Sequence, residues 1–296
     1  MNYGTQPLML LGRLYDSVPQ FLRPFTFRVA RSVDELKAAS HLVYEEYLKR
    51  NYTRANATQL KLSVHHALPT TTTLMALYRN QTVVGTITVI EDSPLGVPMD
   101  EIYKTELDAL RRQGHHVAEA AMFALDSNLF GRKVFTMFNP KKLLLTLRLF
   151  KVMFDYLRSS TKTDELVACF NPKHQILYEF LRLQPLGGLK AYGGANSNPA
   201  VARHLNIGET ARTATGHAAY SFFYGKPPSP QPFIKRLVLS PEELRTLFVL
   251  QSSIFASASP TEIEHIKSCY PGYHFDQIIQ TPNNPTVISS SPPRSA

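Results

Sequence analysis

Glu119 is the single acid in the nine-residue apolar run Val117-Ala-Glu-Ala-Ala-Met-Phe-Ala-Leu125. A carboxylate drawn out of water in such a strand has its pKa raised, which suits a general base working near neutral pH. A sheet glutamate that pairs with an arginine, or reaches solvent, would leave the same trace, so both readings stand. A second group is Asn171-Pro-Lys-His174 with Tyr178 four residues further on. On a helix, His174 and Tyr178 would share a face. The phenol could protonate a leaving thiolate and the imidazole could orient a carboxylate. Helix capping by Asn171 and plain packing of Tyr178 fit the same residues. His65-His66 and His115-His116 are adjacent pairs, and neighbours on a strand point to opposite faces, so no metal site is expected. No G-x-G-x-x-G, P-loop or G-x-S-x-G string occurs, which weighs against nucleotide-dependent and hydrolytic chemistry. Cys169 and Cys269 form neither a disulfide framework nor a C-x-x-C motif.

The elements that would carry these residues can be read from pattern. Thr26 to Ala30 is a first strand. Ser32 and Glu35 make a capping box for a helix running to about Arg50. Asn51 to Leu68 is open, with a second helix as one option. Thr71 to Tyr78 and Thr82 to Glu91 read as a hairpin of β-branched strands about Arg79-Asn80-Gln81. Asp100 to Gln113 has helical spacing and stops at Gly114. Val117 to Leu125 is a short strand. Lys141 to Ser159 has an apolar arc so wide that the helix must lie against a sheet. Glu165 to Phe170 is a strand, His174 to Leu183 a helix closed by Gly187-Gly188, and Ala219 to Tyr224 a late strand. Ser240-Pro-Glu-Glu243 caps a C-terminal helix, and another follows Pro260-Thr261. From Gln277 the chain is rich in Pro, Ser, Asn and Thr and is expected to be disordered. The fold class is therefore α/β (α+β), with helices on both faces of a mixed, mainly antiparallel sheet.

Composition narrows the setting. The chain has 296 residues, 44% of them hydrophobic and 19% charged, as in a globular protein. No apolar run is long enough for a membrane span, and the first residues lack the pattern of a secretory leader, so a cytoplasmic location is expected. The net charge is +9, and residues 131–162 hold eight basic residues against Asp155 alone. Such a local field favours an acidic partner. Lys141, Arg148, Lys151 and Arg158 fall on one stripe of the long helix, which is also what a plain solvated helix face would show.

Several strings together resemble a known family. They are Leu42-Val-Tyr-Glu-Glu-Tyr47, Thr71-Thr-Thr-Leu-Met-Ala-Leu77, the stretch Val83 to Asp100, Glu106-Leu-Asp-Ala-Leu-Arg111, Ala118 to Asp126, and Asn171-Pro-Lys-His174 with Tyr178. They are similar to the long-chain N-acyl amino acid synthases, relatives of the acyl-homoserine-lactone (autoinducer) synthases in the GNAT-like acyltransferase superfamily. The resemblance covers residues 26–225. It implies a GNAT-like fold with two splayed central strands, here 117–125 and 165–170. It also implies transfer of a fatty acyl group from a phosphopantetheine thioester to the α-amine of an amino acid or a similar amine. Glu119 would then be the base and Tyr178 the acid. Main-chain N–H groups near Met122 and Phe123 would steady the oxyanion. Substrate contacts are expected at Met122, Phe123, Ala124, Asn171 and His174. Phe123, Leu144 and Phe150 could line an acyl channel.

Two departures from that family pattern matter. The autoinducer synthases carry a Ser-Arg pair where this chain has Met122-Phe123, which argues against S-adenosylmethionine as the amine. The acetyltransferases carry a glycine-rich pyrophosphate loop where this chain reads Gly131-Arg-Lys-Val-Phe-Thr-Met-Phe-Asn-Pro140. Without those glycines coenzyme A loses its cradle. The expected donor is therefore the acyl-phosphopantetheine of acyl carrier protein, with no bound cofactor. Arg132, Lys133, Lys141, Arg148 and Lys151 would dock that acidic partner. Nucleic acid is not an expected partner, and peripheral membrane contact could follow from a lipid product. The alternatives are a catalytically silent acyl- or nucleic-acid-binding module on the same fold, and a coenzyme A-dependent acetyltransferase. The expected division is an N-terminal segment 1–24, a GNAT-like N-acyltransferase domain 25–226, a C-terminal helical extension 227–276 and a disordered tail 277–296.

Overall fold

A computed structural model describes residues 19–130, 139–217 and 220–280. Strand β1 (Phe25–Val29) leads into helix α1 (Val33–Leu48). Ser32 caps that helix by accepting from the Glu35 N–H at 3.3 Å. The reciprocal half of the expected box is absent, because Glu35 accepts from the Arg31 N–H and pairs with Arg28 instead. Strands β2 (Thr71–Tyr78) and β3 (Thr82–Glu91) form the expected hairpin. Arg79 and Asn80 both take positive φ at its turn, the geometry that matches the natural strand twist. Helix α2 (Asp100–Arg112), strand β4 (Val117–Leu125), helix α3 (Pro140–Ser160) and strand β5 (Glu165–Phe170) follow as read from the pattern, to within a residue or so.

The seven strands lie in the order β1-β2-β3-β4-β5-β7-β6, with β6 at Gln184–Tyr192 and β7 at Asn198–Asn206. All neighbours are antiparallel except β4 and β5. The parallel pair runs Val117↔Glu165, Ala118↔Leu166 and Glu119↔Val167, and its register ends there. Beyond Glu119 the two strands splay.

One face of the sheet packs on α3 through the main core, which includes Leu145, Leu149, Phe150 and Met153. Gly85 of β3 lies under that helix. A Cβ there would sit 2.7 Å from Leu125 Cδ2 and 3.3 Å from Ala76 Cβ. Gly85→Val is therefore expected to cost about 1–3 kcal/mol through overpacking. A lowered urea midpoint with an unchanged slope is the check, and an unaltered midpoint would remove the argument.

Several expectations need correction or completion. Ala219 to Tyr224 is no strand: Tyr220–Tyr224 is a helix, and Ala219 lies outside the described residues. Its aromatic run, typical of strands, packs Phe223 and Tyr224 on Phe154 with ring centroids 5.5 and 5.9 Å away. The helix opened at Pro172 is short. A turn Pro172–His174 precedes helix α4 (Gln175–Phe180), and Arg182 at φ +72° turns the chain away. Gly187-Gly188 then sits inside edge strand β6, where glycine is tolerated. A side chain at Gly187 would meet the Tyr103 ring at 2.6 Å, so the glycine admits a close crossing and does not end a helix. Asn51 to Leu68 forms an irregular segment with one helical turn, Val64–Ala67.

The helices Pro241–Arg245 and Pro260–Ser268 carry capping boxes at Ser240 and Ser259. They build a second core with Leu36, Ala67 and Leu68 and so buttress α1 from behind. The short helix Phe275–Ile279, with Phe275 and Ile278 buried, extends this unit past Gln277, where disorder was expected to begin. Residues 281–296 and 1–18 lie outside the described residues. Among the described residues no helix is long and apolar enough to cross a membrane.

Candidate active site

The strand that carries Glu119 changes face part-way along. Thr86 pairs with Ala124 and Thr88 with Ala121, so two residues, Met122 and Phe123, oppose Ile87. Met122 has φ +52°, a left-handed conformation that marks this β-bulge. Before the bulge, Ala118 and Ala120 face α3 while Val117 and Ala121 face α2. After it the parity flips: Phe123 and Leu125 face α3, and Met122 and Ala124 face α1. The bulge sits where β4 has left β5. Its main chain therefore borders an opening through the sheet.

A cavity of about 270 Å³ fills that opening. Every expected catalytic and substrate-contact residue lines it: Glu119, Tyr178, Met122, Phe123, Ala124, Asn171 and His174. Glu119 is 3% exposed, and its Oε2 accepts from the Met99 N–H at 2.8 Å. Burial pushes its pKa up to about 8; the Met99 N–H pulls against that and Asp100 adds to it. Such a carboxylate exchanges a proton in the neutral range and can take one from an incoming amine. Cys169 of β5 also lines the cavity, and burial and Glu119 push its thiol well above the usual range, so it stays protonated.

Tyr178 stacks flat on Phe170, with centroids 3.6 Å apart, and meets Phe150 edge-on. Burial, with Tyr47 and Cys169, raises its pKa, so the phenol keeps its proton. His174 is lowered to about 4 by burial and by Lys173, Arg50 and Lys142, and is a neutral imidazole near pH 7. It ends the turn before α4, so it shares the cavity with Tyr178 but not the helix. Asn171 caps that turn, its Oδ1 accepting from the Lys173 N–H at 3.2 Å. Of the three residues expected along an acyl channel, Phe123 lines the cavity. Phe150 packs behind it, and Leu143 and Thr146 of α3 line the cavity in place of Leu144.

The basic stripe is largely engaged. Lys151 pairs with Asp155, Lys141 lies over the Phe21 ring, Arg148 over Phe27 and Arg158 over Tyr224. Arg132 and Lys133 lie outside the described residues.

Pattern reading passed over Glu46, Arg50, Tyr47, Lys61, Lys142 and Tyr192, all of which line the cavity. Glu46 and Arg50 are four apart on α1, a spacing that an ordinary exposed helix pair also has, so nothing local marks them. Glu46 is buried against Arg50 and Ser127, and beside them the 51–61 segment is tied to the β6–β7 turn. Asn198 Nδ2 donates to the Asn51 carbonyl at 2.6 Å, and Lys61 Nζ to the Gly194 carbonyl at 3.1 Å.

Met99 is held in turn by an acidic cluster around Arg111. The guanidinium bonds Asp92 and both oxygens of Asp100 at 2.7 Å, and Asp100 Oδ2 also accepts from the Val97 N–H at 2.7 Å. Arg111→Met is expected to cost about 2 kcal/mol, the partial exposure of the cluster limiting the effect. It should also loosen the Met99 N–H. Losing that donor raises the Glu119 pKa further, so the acid limb of the pH–rate profile should move to higher pH. A variant that is less stable but has an unmoved limb would make the cluster structural alone.

No curated protein matches the chain. Among solved structures it is similar to FeeM, an N-acyl amino acid synthase from uncultured soil microbes, at 30% identity and TM-score 0.54, over 64% of this chain and 94% of that one. It also matches the AHL synthase LasI at 15% identity and TM-score 0.48, over 69% of this chain and 96% of that one. A ribosomal-protein-S5-alanine acetyltransferase from Vibrio fischeri matches at 11% identity and TM-score 0.40, over 62% and 93%. Residues 38–206 match the family described as N-acyl amino acid synthase FeeM. That match takes in most of α1, the splayed strands and the lined cavity, more than half of the chain, and by it the protein belongs to the N-acyl amino acid synthase FeeM family of acyltransferases.

Proposed function

We propose that the chain transfers a long-chain fatty acyl group from the phosphopantetheine thioester of acyl carrier protein to the α-amine of an amino acid. The observation that carries this reading is the position of Glu119. It is buried, titrates near neutrality, and lines a cavity whose α3 side is built from Phe123, Leu143, Phe170 and Leu177. The acyl chain and pantetheine arm enter on that apolar side. The amine nitrogen comes from the Glu119 side and attacks the thioester carbonyl. A C–N bond forms, the C–S bond breaks, and the amine's proton passes to Glu119 directly or through water. Main-chain N–H groups freed by the bulge at Met122 and Phe123 steady the oxyanion. Tyr178 passes its proton to the leaving thiolate and is reprotonated, through solvent, by the proton that Glu119 took from the amine.

The carrier-protein donor rests on the missing pyrophosphate glycines and on the basic segment 131–162. With Lys151 already paired, docking would fall to Arg132, Lys133, Lys141 and Arg148. The test offers the purified protein long-chain acyl carrier protein or acyl-coenzyme A with mixed amino acids, followed by mass spectrometry. N-acyl amino acids formed faster from the carrier-protein donor are expected. Product from coenzyme A alone would overturn the donor, and no product from either donor would overturn the reaction.

A further inference from the structure

An amino acid brings a carboxylate to the cavity along with its amine, and a buried anion needs a cation to receive it. Several cations line the cavity. Arg50 is taken, bonded to the Glu46 carboxylate at 2.6 Å and to the Glu46 carbonyl. Lys142 sits beside Arg50 and Glu46, at the end where His174 lies. Like Lys61, Lys142 has no carboxylate pair among the described residues; Lys61 differs from it in place and in a bond that fixes its ammonium. Its Nζ donates to the Gly194 carbonyl at 3.1 Å, and no carboxylate pairs with it among the described residues. An ammonium has three donors, so two remain for a ligand.

Lys61 also lies on the Glu119 side. Its partner Gly194 follows the β6 end at Tyr192, and both line the cavity with Glu119. Burial lowers the Lys61 pKa and Glu101 offsets part of that; the Glu101 carboxylate also accepts from the Gly194 N–H at 3.2 Å. The wall made by the 51–61 segment and the β6–β7 turn thus offers a half-buried ammonium, with no carboxylate bonded to it among the described residues, on the cavity that holds the base.

We infer that Lys61 receives the α-carboxylate of the acceptor and so sets the specificity for amino acids over simple amines. This rests on the proposed reaction and names the residue that reads its acceptor. Bound at Lys61, the acceptor leaves its amine free to turn towards Glu119 and the gap between β4 and β5. The carboxylate replaces water at the two spare donors, and no proton need move.

The experiment compares free amino acids with their α-amides as acceptors, using wild type, Lys61→Met, Lys61→Arg and Lys142→Met. Wild type should favour the free acid. Lys61→Met should raise the KM for the acid by about 10- to 100-fold and leave that for the amide within about twofold, the loss of one charge-assisted bond. Lys61→Arg should keep most of the preference for the acid, and Lys142→Met all of it. A Lys61→Met protein that acylates amides normally is folded, so the ratio reads recognition alone. If the preference survives in Lys61→Met, or falls in Lys142→Met instead, Lys61 is not the receptor. Lys61→Met that acylates neither acceptor, with Lys61→Arg no better, would make Lys61 structural and overturn the inference. If wild type acylates no amine at all, the proposed reaction fails rather than this assignment within it.

Discussion

Glu119→Gln is expected to lower kcat by about 10²- to 10⁴-fold, the range of a positioned general base. The substitution keeps the shape of the side chain and an oxygen for the Met99 N–H, which now meets Oε2 at 2.8 Å. What it removes is the ability to take a proton. The pH dependence separates this from a mere change of packing. With the folded carboxylate pushed up to about 8 by burial, its ionised fraction climbs about tenfold per pH unit below that value. Wild-type kcat/KM should therefore rise to a plateau above about pH 8, and the Gln variant should lose that limb. Any limb that survives in the variant belongs to the titration of the amine substrate. Turnover unchanged by the substitution would remove Glu119 as the base.

The same carboxylate should make the active protein less stable than the inactive one at high pH. Its folded pKa lies above the ordinary glutamate value of 4.5, so the folded state prefers it protonated. The favourable balance is complete below the unfolded pKa and is lost as pH rises through the folded one. At pH 9 the buried anion should cost the fold about 3–5 kcal/mol, because each tenfold change in a protonation equilibrium is worth about 1.4 kcal/mol. Glu119→Gln should then melt higher than wild type at pH 9 and nearly equal to it at pH 4. A variant that melts lower at both pH values would contradict the burial argument.

Much of this arrangement is legible in the sequence because its causes are local. β2, β3, β4 and β5 follow from β-branched or apolar runs bounded by turn residues, and α3 from an apolar arc too wide for anything but a helix on a sheet. Glu119 stands out because an acid inside VAEAAMFAL has no local reason to be there. What escapes the sequence is set by distant chain. β6 and β7 carry Pro185, Gly187, Gly188 and Pro199, residues that break a strand pattern, and they persist because β6 is an edge and Gly187 gives way to the Tyr103 ring. Tyr103 Oη then fixes both strands through the Gly188 and Ala200 carbonyls at 2.7 and 2.9 Å. Lys61 is equally hidden, since its place depends on a turn more than a hundred residues away in the chain. The family resemblance supplied the roles expected of Glu119 and Tyr178, but it did not point to the cations around them.

Glu46 is the clearest case of a residue whose importance lies wholly in the folded context, and its replacement is expected to cause the largest loss of stability. Its side chain is buried, yet it bonds Lys49 at 2.8 Å, Arg50 at 2.6 Å, and both the N–H and hydroxyl of Ser127 at 3.1 and 2.8 Å. Ser127 lies just past the end of β4, so this carboxylate ties the last turn of α1 to the strand that carries Glu119. Burial alone would raise its pKa, but Lys49, Arg50 and Ser127 outweigh burial and hold it at about 2. A folded pKa below the unfolded value of 4.5 means stability that is present above that value and lost as pH falls through about 2. Glu46→Gln should therefore cost about 3 kcal/mol at pH 7, or roughly 6–12 °C in Tm, and progressively less in acid. The gap between variant and wild type should close as pH approaches 2. A gap of the same size at pH 3 and pH 7 would mean that Glu46 holds the site by shape and not by charge.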